Sequence, residues 1–316
     1  MNINIINSYI NIMRFFNNLC IITKKSLGHY YETIEKNYDQ MKKYYQIAIN
    51  NDVDSMKSLG KYYETIEDYD QMKKYYLMAI DNNDVDSMYS LGLYYKTIED
   101  YDQMKKYYLM AIDNNNVNSM YSLGHYYKIV EKNYDQMKKY YLMAIDNNNV
   151  DSMYSLGHYY ETVEKNYNQM KKYYLMAIDN NNVDSMYSLG HYYETVEKNY
   201  DQMKKYYLMA IDNNDSYAMT NLGNYYMIVE KNYNLMKKYY LMAIDNNDPR
   251  AMMYLGLYYK NLHPNMEKMI KYLSMAIENK ICIHTEKEII IILANYYEKI
   301  NNMTLAKKYY YMLKME

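Results

Sequence analysis

All eight glycines of this chain recur at an interval of 32 or 33 residues. Each follows a leucine and is followed, after one residue, by two tyrosines, as in Leu59-Gly60-Lys61-Tyr62-Tyr63. Their positions are Gly28, Gly60, Gly92, Gly124, Gly157, Gly190, Gly223 and Gly256. A fixed period of this length is typical of a tandem array, whose units bury their apolar faces against their neighbours. The sequence therefore predicts one repeated unit rather than one or two globular domains.

Charge and cysteine content argue against several classes of protein. A formal net charge of −2 gives no strong field to attract nucleic acid or an anionic membrane. Cys20 and Cys282 lie far apart without metal-ligand spacing, which favours a reducing compartment. No apolar run approaches the roughly 18 residues that span a bilayer, and the first residues lack the basic region of a secretory signal. We therefore predict an intracellular, cytoplasmic protein without a transmembrane segment.

Each unit contains two amphipathic patterns. In the unit around Gly92, the residues Met88, Leu91, Gly92 and Tyr95 are spaced as one face of a helix. A second helical face follows and contains Met104, Tyr107, Tyr108, Ala111 and Ile112. Two short helices per unit predict a helical hairpin.

Capping residues place the ends of both helices. Asp84 precedes the first helix, and the eighth unit has Asp248-Pro249 there, with proline favoured at the first helical position. Asp100 and Gln103 form a pattern like a capping box before the second helix. The turns between units are rich in asparagine, which tolerates the left-handed conformation. In the longer units Glu-Lys-Asn replaces Glu-Asp, so the extra residue is predicted to lie in the turn within the hairpin.

The glycine falls inside the first helix, where it costs about 1 kcal/mol relative to alanine. A cost repeated eight times predicts a packing reason, namely close approach of the second helix. We expect Met72, Met104 or Met137 to fill the space opposite, because methionine fits irregular gaps. A hinge or a ligand-binding glycine is the alternative.

These units resemble tetratricopeptide repeats and, more closely, the Sel-one-like branch of that superfamily. Ala218-Met-Thr-Asn-Leu222-Gly223-Asn-Tyr-Tyr226 fits the first half of the Sel-one-like unit, and Asp102-Gln-Met-Lys-Lys-Tyr-Tyr-Leu-Met-Ala111 fits the second. The family's glycine-rich turn insertion is absent. A degenerate ninth unit ends the chain, with Leu293-Ala294 in place of Leu-Gly. The composition, with 50 Tyr and 30 Met, is similar to that of giant-virus or protist members, which would place the protein in an infected host cell.

The resemblance implies an all-α solenoid of about nine hairpins that acts as a protein-interaction scaffold or adaptor. Residues 1–18 are predicted to be an N-terminal cap helix or a tail, and residues 19–316 a single repeat domain. The alternatives are a structural spacer that binds through its ends and a nucleic-acid-binding helical array. No catalytic motif occurs, so we expect neither an enzyme nor a cofactor.

In such solenoids the first helix lines a concave groove. The groove positions would then lie six and three residues before each glycine and one and four residues after it. Lys96 and Lys128 occupy the last of these positions in the third and fourth units, and glutamates occupy it in the fifth and sixth. The predicted partner-binding residues are Tyr89, Tyr121, Tyr154, Tyr187, His125, His158, His191, Asp151, Asp184, Glu161 and Glu194.

Tyrosine is a common interface anchor, and the acidic residues favour a basic protein or peptide as partner. The tyrosines have a second interpretation, in which they pack on adjacent first helices. The histidines lie on successive helices, about 8–10 Å apart, which is too far for a shared zinc ion, so no metal site is expected. Paired lysines recur on the second helices, but an aspartate precedes them at helical spacing, as Asp70 precedes Lys73 and Lys74, which argues against nucleic acid. The oligomeric state is not determined by these patterns.

Overall fold

The computed structural model describes residues 23–49 and 52–313, so residues 1–18 lie outside the described part of the chain. Within that part there are eighteen α-helices and no strand. The first helices of the hairpins are residues 23–33 (α1), Val53–Thr65 (α3), Val85–Thr97 (α5), Val117–Tyr126 (α7), Val150–Thr162 (α9), Val183–Tyr192 (α11), Ser216–Ile228 (α13), Pro249–Asn261 (α15) and Ile283–Lys299 (α17). The second helices are Tyr38–Ala48 (α2), Tyr69–Ile80 (α4), Tyr101–Asp113 (α6), Tyr134–Asp146 (α8), Tyr167–Ile178 (α10), Tyr200–Asp212 (α12), Tyr233–Asp245 (α14), Met266–Glu278 (α16) and Met303–Met312 (α18).

These helices form paired helix-turn-helix repeats, so the predicted all-α hairpin architecture is confirmed. The chain divides into two compact units, Met1–Ser152 and Met153–Glu316, with α9 containing the division. Inside each unit, a first helix packs against the second helix of its own hairpin and against the second helix of the preceding hairpin. The degenerate last repeat is also a hairpin, formed by α17 and α18.

Side-chain caps begin the helices as predicted. The Asp84 carboxylate accepts a hydrogen bond from the backbone N–H of Ser87 at 2.7 Å, and the Asp100 carboxylate accepts one from Gln103 at 3.2 Å. Pro249 is the first residue of α15, after the N-cap Asp248. Each cap satisfies a backbone donor that has no partner within the helix.

Left-handed residues end both kinds of turn. Between most hairpins the left-handed residue is an asparagine, as predicted: Asn83, Asn115, Asn148, Asn181, Asn214 and Asn247 have φ between 58° and 62°. Within most hairpins it is a lysine or a glutamate: Lys36, Glu67, Glu99, Lys132, Lys165, Lys198 and Lys231 have φ between 51° and 60°. This second set was not predicted, because these residues seldom adopt that conformation. The last repeat reverses the two, with Lys280 before the hairpin and Asn301 within it.

The core consists of the faces that the helical spacing predicts. In the third hairpin Met88, Leu91 and the whole predicted face of α6 are buried. The largest fully buried side chains include one tyrosine from each of six second helices, namely Tyr76, Tyr108, Tyr141, Tyr174, Tyr207 and Tyr240.

These tyrosines, rather than the expected methionines, explain the glycines. A Cβ atom built on Gly92 would lie 2.4 Å from Cδ1 of Tyr108, and one on Gly157 would lie 2.6 Å from Cδ1 of Tyr174. Both distances are far below van der Waals contact, so the ring lies directly over the glycine backbone. Met104 is buried one helical turn before Tyr108, on the same face of α6, and this is why the sequence pattern did not distinguish the two.

The extra residue of the longer repeats lies in the turn within the hairpin, as predicted, between the end of the first helix and the left-handed residue, for example after α9 and α13. After α7 and α11 the same segment is π-helical, at Tyr127–Glu131 and Tyr193–Glu197. In these longer repeats a glutamate before the left-handed residue contacts the preceding hairpin. Glu197 accepts hydrogen bonds from the Tyr192 hydroxyl at 2.9 Å and from Nζ of Lys171, in the preceding hairpin, at 2.7 Å. We call this arrangement the Tyr–Glu–Lys clamp. It recurs at Tyr126–Glu131–Lys105 and at Tyr225–Glu230–Lys204.

We predict that Gly157→Ala destabilises the protein although alanine favours helix. Overpacking against the Tyr174 ring costs about 1–3 kcal/mol, which exceeds the roughly 1 kcal/mol gained from helix propensity. Thermal denaturation followed by circular dichroism should show a lower melting temperature. Combining the change with Tyr174→Ala removes the clash, so in that background Gly157→Ala should stabilise. A loss of the same size in both backgrounds would remove the packing explanation.

We predict that Lys198→Gly stabilises the protein. Lys198 has φ of 55°, a conformation that costs a residue with a side chain about 1 kcal/mol and glycine almost nothing. The melting temperature should rise by a few degrees. The matched control is Lys205→Gly, which places glycine inside α12 and should cost about 1 kcal/mol. A decrease for both variants would contradict the assignment of backbone strain to the turn.

Candidate functional site

The predicted groove residues lie on the first helices of both compact units. We call the surface they form the first-helix face. In the first unit it contains Tyr89, Lys96, Tyr121, His125, Lys128 and Asp151; in the second unit it contains Tyr154, His158, Glu161, Asp184, Tyr187, His191 and Glu194. The two parts are described separately below.

The tyrosines of this face are half-buried rather than fully exposed. Each ring stacks on the buried tyrosine of the second helix in its own hairpin. The ring centroids lie 5.9 Å apart for Tyr89 and Tyr108 and 5.8 Å apart for Tyr154 and Tyr174. Tyr121 stacks on Tyr141 and Tyr187 on Tyr207 in the same way. The stacking partner is therefore the second helix of the same hairpin. Tyr187 also contacts the next first helix, as the second interpretation predicted: Asn221 Nδ2 donates to its hydroxyl at 3.2 Å, and the Tyr217 ring centroid lies 6.0 Å from its own.

Glu161 and Glu194 are bound to the same buried tyrosines. The Tyr174 hydroxyl donates to Glu161 Oε2 and the Tyr207 hydroxyl to Glu194 Oε2, each at 2.6 Å. Burial raises the pKa of Glu194, but hydrogen bonds from His191 and Tyr207 outweigh burial and leave that pKa below its ordinary value. Both carboxylates thus combine a structural bond with a negative charge on the face. The sequence pattern had identified the glutamates but not their tyrosine partners.

The histidines have different electrostatic surroundings in the two units. In the second unit His191 Nδ1 lies 3.7 Å from Glu194 Oε2, and this hydrogen-bonding partner raises the histidine pKa in spite of burial. In the first unit burial lowers the pKa of His125, and the charges of Lys96 and Lys128 lower it further. The histidine at this repeated position therefore favours its charged form in the second unit, at His191, and its neutral form in the first unit, at His125.

The aspartates six residues before the glycines are exposed at Asp151 and Asp184. Asp86, at the corresponding place in α5, is instead paired with Lys57 Nζ at 2.9 Å. Asn118 replaces the aspartate in α7. The negative charge at the position six residues before the glycine is therefore reduced in α5 and α7 and retained in α11.

A cavity of about 510 Å³ lies in the second unit, near the starts of α13, α15 and α17. The Arg250 guanidinium lies there, 3.6 Å from the Tyr217 ring centroid, and its Nε donates to Asp248 Oδ1 at 3.0 Å. Asp248 and Tyr217 already engage the guanidinium, so Lys280, which is exposed, is the lining cation without an ion pair among the described residues. Sequence analysis had not singled out this cluster.

The lysine pairs of the second helices are largely neutralised by their own neighbours. Lys73 lies 3.2 Å from Asp70, and Lys105 is shared between Asp102 and Glu131. The second lysine of each pair covers a tyrosine ring, as Lys106 covers Tyr107 at 5.0 Å. The neutralisation expected from the aspartate spacing is confirmed for the first lysine of a pair, as at Lys73 with Asp70, but not for the second, such as Lys74.

Among the described residues, no group of three or more His, Cys, Asp or Glu side chains is arranged to hold a metal ion. None of the helices in residues 23–49 and 52–313 combines the length and apolar character needed to cross a bilayer.

No protein-family model matches this chain, and no curated protein is similar to it in sequence. Solved structures do share its fold. One is c5321, a protective antigen present in uropathogenic Escherichia coli strains and displaying an SLR fold, with a TM-score of 0.62 and 18% identity over 88% of this chain. This chain spans 65% of that protein. Another is a Sel1 repeat protein from Oxalobacter formigenes, with a TM-score of 0.55 and 23% identity over 74% of this chain and 100% of that one. The fold is therefore that of Sel1-repeat and tetratricopeptide-like helical solenoids.

We predict that His125 and His191 titrate on opposite sides of the ordinary histidine value of 6.5. The raised pKa of His191 stabilises the fold below pH 6.5, and that contribution is lost as pH rises through the raised value. The lowered pKa of His125 has the reverse effect, so its contribution is present above 6.5 and is lost as pH falls below it. Imidazole NMR titration of the folded protein measures both values.

Two substitutions serve as controls for this titration. Glu194→Gln should lower the His191 pKa, and Lys96→Met should raise the His125 pKa, because each removes a neighbouring charge. Equal titration of the two histidines in the unchanged protein would contradict the electrostatic difference between the units.

Proposed function

We propose that this protein is an interaction scaffold that holds a protein or peptide segment along the first-helix face and performs no catalysis. The observation on which the proposal rests is the repeated pairing of a half-buried tyrosine with a histidine one helical turn later. Tyr154 and His158 lie 6.1 Å apart between ring centroids, and Tyr187 and His191 are at the same distance. Aromatic surfaces with polar tips are favoured anchors for peptide binding.

The tyrosine platform is rigid, which supports a binding role. Each half-buried ring rests on a buried ring that is fixed against the helix backbone, so little conformational freedom remains to be lost when a partner binds. Scaffold function also suits a fold shared with Sel1 repeat proteins. The neutralised lysine pairs of the second helices support a protein partner over nucleic acid.

For the second unit we propose a basic partner segment. Asp184, Glu161 and Glu194 all lie on its first-helix face, and Asp184 is exposed. Both glutamates accept tyrosine hydrogen bonds, and the lowered pKa of Glu194 favours its charged form, so the local field favours lysine or arginine side chains. The proposed setting is the interior of a cell.

We predict that photo-crosslinking amino acids placed at Tyr154 or Tyr187 capture a partner protein in lysate of native cells. The same amino acid at Leu175 or Leu208, exposed residues of second helices, should capture little, because those side chains lie off the proposed face. Mass spectrometry of the crosslinked product identifies the partner. Tyr154→Ser with Tyr187→Ser should abolish ordinary affinity capture and leave the helical circular dichroism largely unchanged.

A structural spacer gives the reverse result. It would show no crosslink at Tyr154 or Tyr187, and capture would survive the double substitution but be lost when α17 and α18 are removed. That pattern would overturn the scaffold proposal. Leu175→Ser with Leu208→Ser is the matched control for nonspecific loss of capture.

A further inference from the structure

A recurring hydrogen bond joins the two helices of most hairpins. The buried tyrosine of the second helix donates its hydroxyl proton to a glutamate four residues after the glycine position of the first helix. In the second hairpin, for example, the Tyr76 hydroxyl lies 2.7 Å from Glu64 Oε2. The same bond occurs at Tyr45–Glu32, Tyr174–Glu161 and Tyr207–Glu194, and a half-buried tyrosine makes it in the last hairpin, at Tyr310–Glu298. A carboxylate is therefore the group that this fold places above the tyrosine hydroxyl.

The third hairpin breaks this rule. At the same spacing it has Lys96 in place of the glutamate, and Tyr108 is fully buried. The Tyr108 hydroxyl has no hydrogen-bond partner among the described residues. Burial raises the pKa of this hydroxyl, and Ser122 beside it opposes that effect. A buried hydrogen-bond donor without an acceptor costs free energy. Within its described residues, the third hairpin has no residue that supplies the carboxylate acceptor which Glu64 supplies in the second hairpin.

Positive charge accumulates at this place. Lys128 is the corresponding residue of the fourth hairpin, and the charges of Lys96 and Lys128 both act on His125. Burial lowers the pKa of Lys128, and in the described residues neither Lys96 nor Lys128 forms an ion pair. The nearby acidic row offers little compensation, since Asp86 is paired with Lys57 and its counterpart in α7 is Asn118.

The eighth hairpin also has a lysine where other hairpins have the glutamate, but it lacks the tyrosine as well. Its first helix has Lys260 at the glutamate position, and its second helix has Leu273 in place of the tyrosine. There the loss of the carboxylate is accompanied by loss of the hydroxyl. The third and fourth hairpins instead keep a buried tyrosine, Tyr108 or Tyr141, opposite a lysine, so this part of the first unit has hydroxyl donors and cations where other hairpins have a glutamate.

We propose that Lys96, Lys128, His125 and Tyr108 form a binding site for a carboxylate side chain of an acidic peptide segment. The partner's carboxylate takes the place that Glu64 occupies over Tyr76, pairs with the two lysine ammonium groups and receives a hydrogen bond from the aromatic cleft. This inference rests on the scaffold function proposed above and adds an acidic-segment site, in the first unit, to the basic preference of the second. Charge-assisted hydrogen bonds of this kind confer specificity as well as affinity.

The test uses the full chain and a fluorescein-labelled polyglutamate peptide, with binding followed by fluorescence anisotropy. The unchanged protein should bind the peptide in a salt-sensitive way. Lys96→Glu with Lys128→Glu should weaken binding on the order of tenfold or more, because both cations are reversed. The matched control, Lys106→Glu with Lys139→Glu, makes the same charge change on second helices of the same hairpins and should have little effect.

Stability provides a second measurement that should move in the opposite direction. Lys96→Glu restores the bond seen between Glu64 and Tyr76, so its melting temperature should rise while its peptide binding falls. A lower melting temperature would overturn the assignment of Tyr108 as an unsatisfied donor. Equal loss of binding in the control pair would overturn the site itself.

Competing anions and the crosslinking experiment complete the test. Inorganic phosphate or a single-stranded oligonucleotide that binds more tightly than polyglutamate would overturn the carboxylate assignment. Partner capture at Tyr154 or Tyr187 without polyglutamate binding would refute this site and leave the scaffold function intact. Polyglutamate binding without any crosslinked partner would instead count against the scaffold function.

Discussion

The contact on which the rest of the structure depends is that of a tyrosine ring lying against the bare backbone of a glycine. Because Gly92 or Gly157 has no side chain, the ring of the second helix reaches the first helix at a distance that a Cβ atom would forbid. The position of the ring then places the hydroxyl near the surface, where it meets Glu64, Glu161 or Glu194. The same ring supports the outer tyrosine that stacks on it. One close approach thus connects the core to the proposed binding face.

Local features of the fold were predictable from sequence, because they depend on residues close together in the chain. Helical spacing identified the buried faces of α5 and α6, and capping residues such as Asp84 and Asp248 placed helix starts. The partner of the glycine was predicted wrongly. Met104 and Tyr108 lie one turn apart on the same face, and only the relative shift of two packed helices decides which meets Gly92. The left-handed Lys198 was missed because its conformation is imposed by the closed turn and not by its own preference.

The candidate surface was predictable as a set of positions but not as a set of environments. Periodicity places His125 and His191 at equivalent points, yet one has lysine neighbours and the other a glutamate partner. The difference comes from a single position four residues after each glycine. The environment of that position depends on the hydroxyl of a tyrosine in the second helix, which lies 12 residues later for Glu64 and 13 residues later for Glu161. Charge on this face is thus set by bonds across the hairpin, so a repeated motif can present different surfaces.

The Tyr–Glu–Lys clamp has a consequence for how such an array responds to pulling. Where a repeat has the extra residue, Glu197 or Glu230 ties a tyrosine to the lysine of the hairpin before it. Before the shorter third repeat, Lys73 is paired with Asp70 of its own helix and meets the next hairpin through the ring of Tyr94, at 5.9 Å. We therefore expect joints of the two kinds to differ in mechanical strength. Under tension along the chain, separation would begin at the joints of the shorter repeats, and a one-residue insertion would act as a local reinforcement.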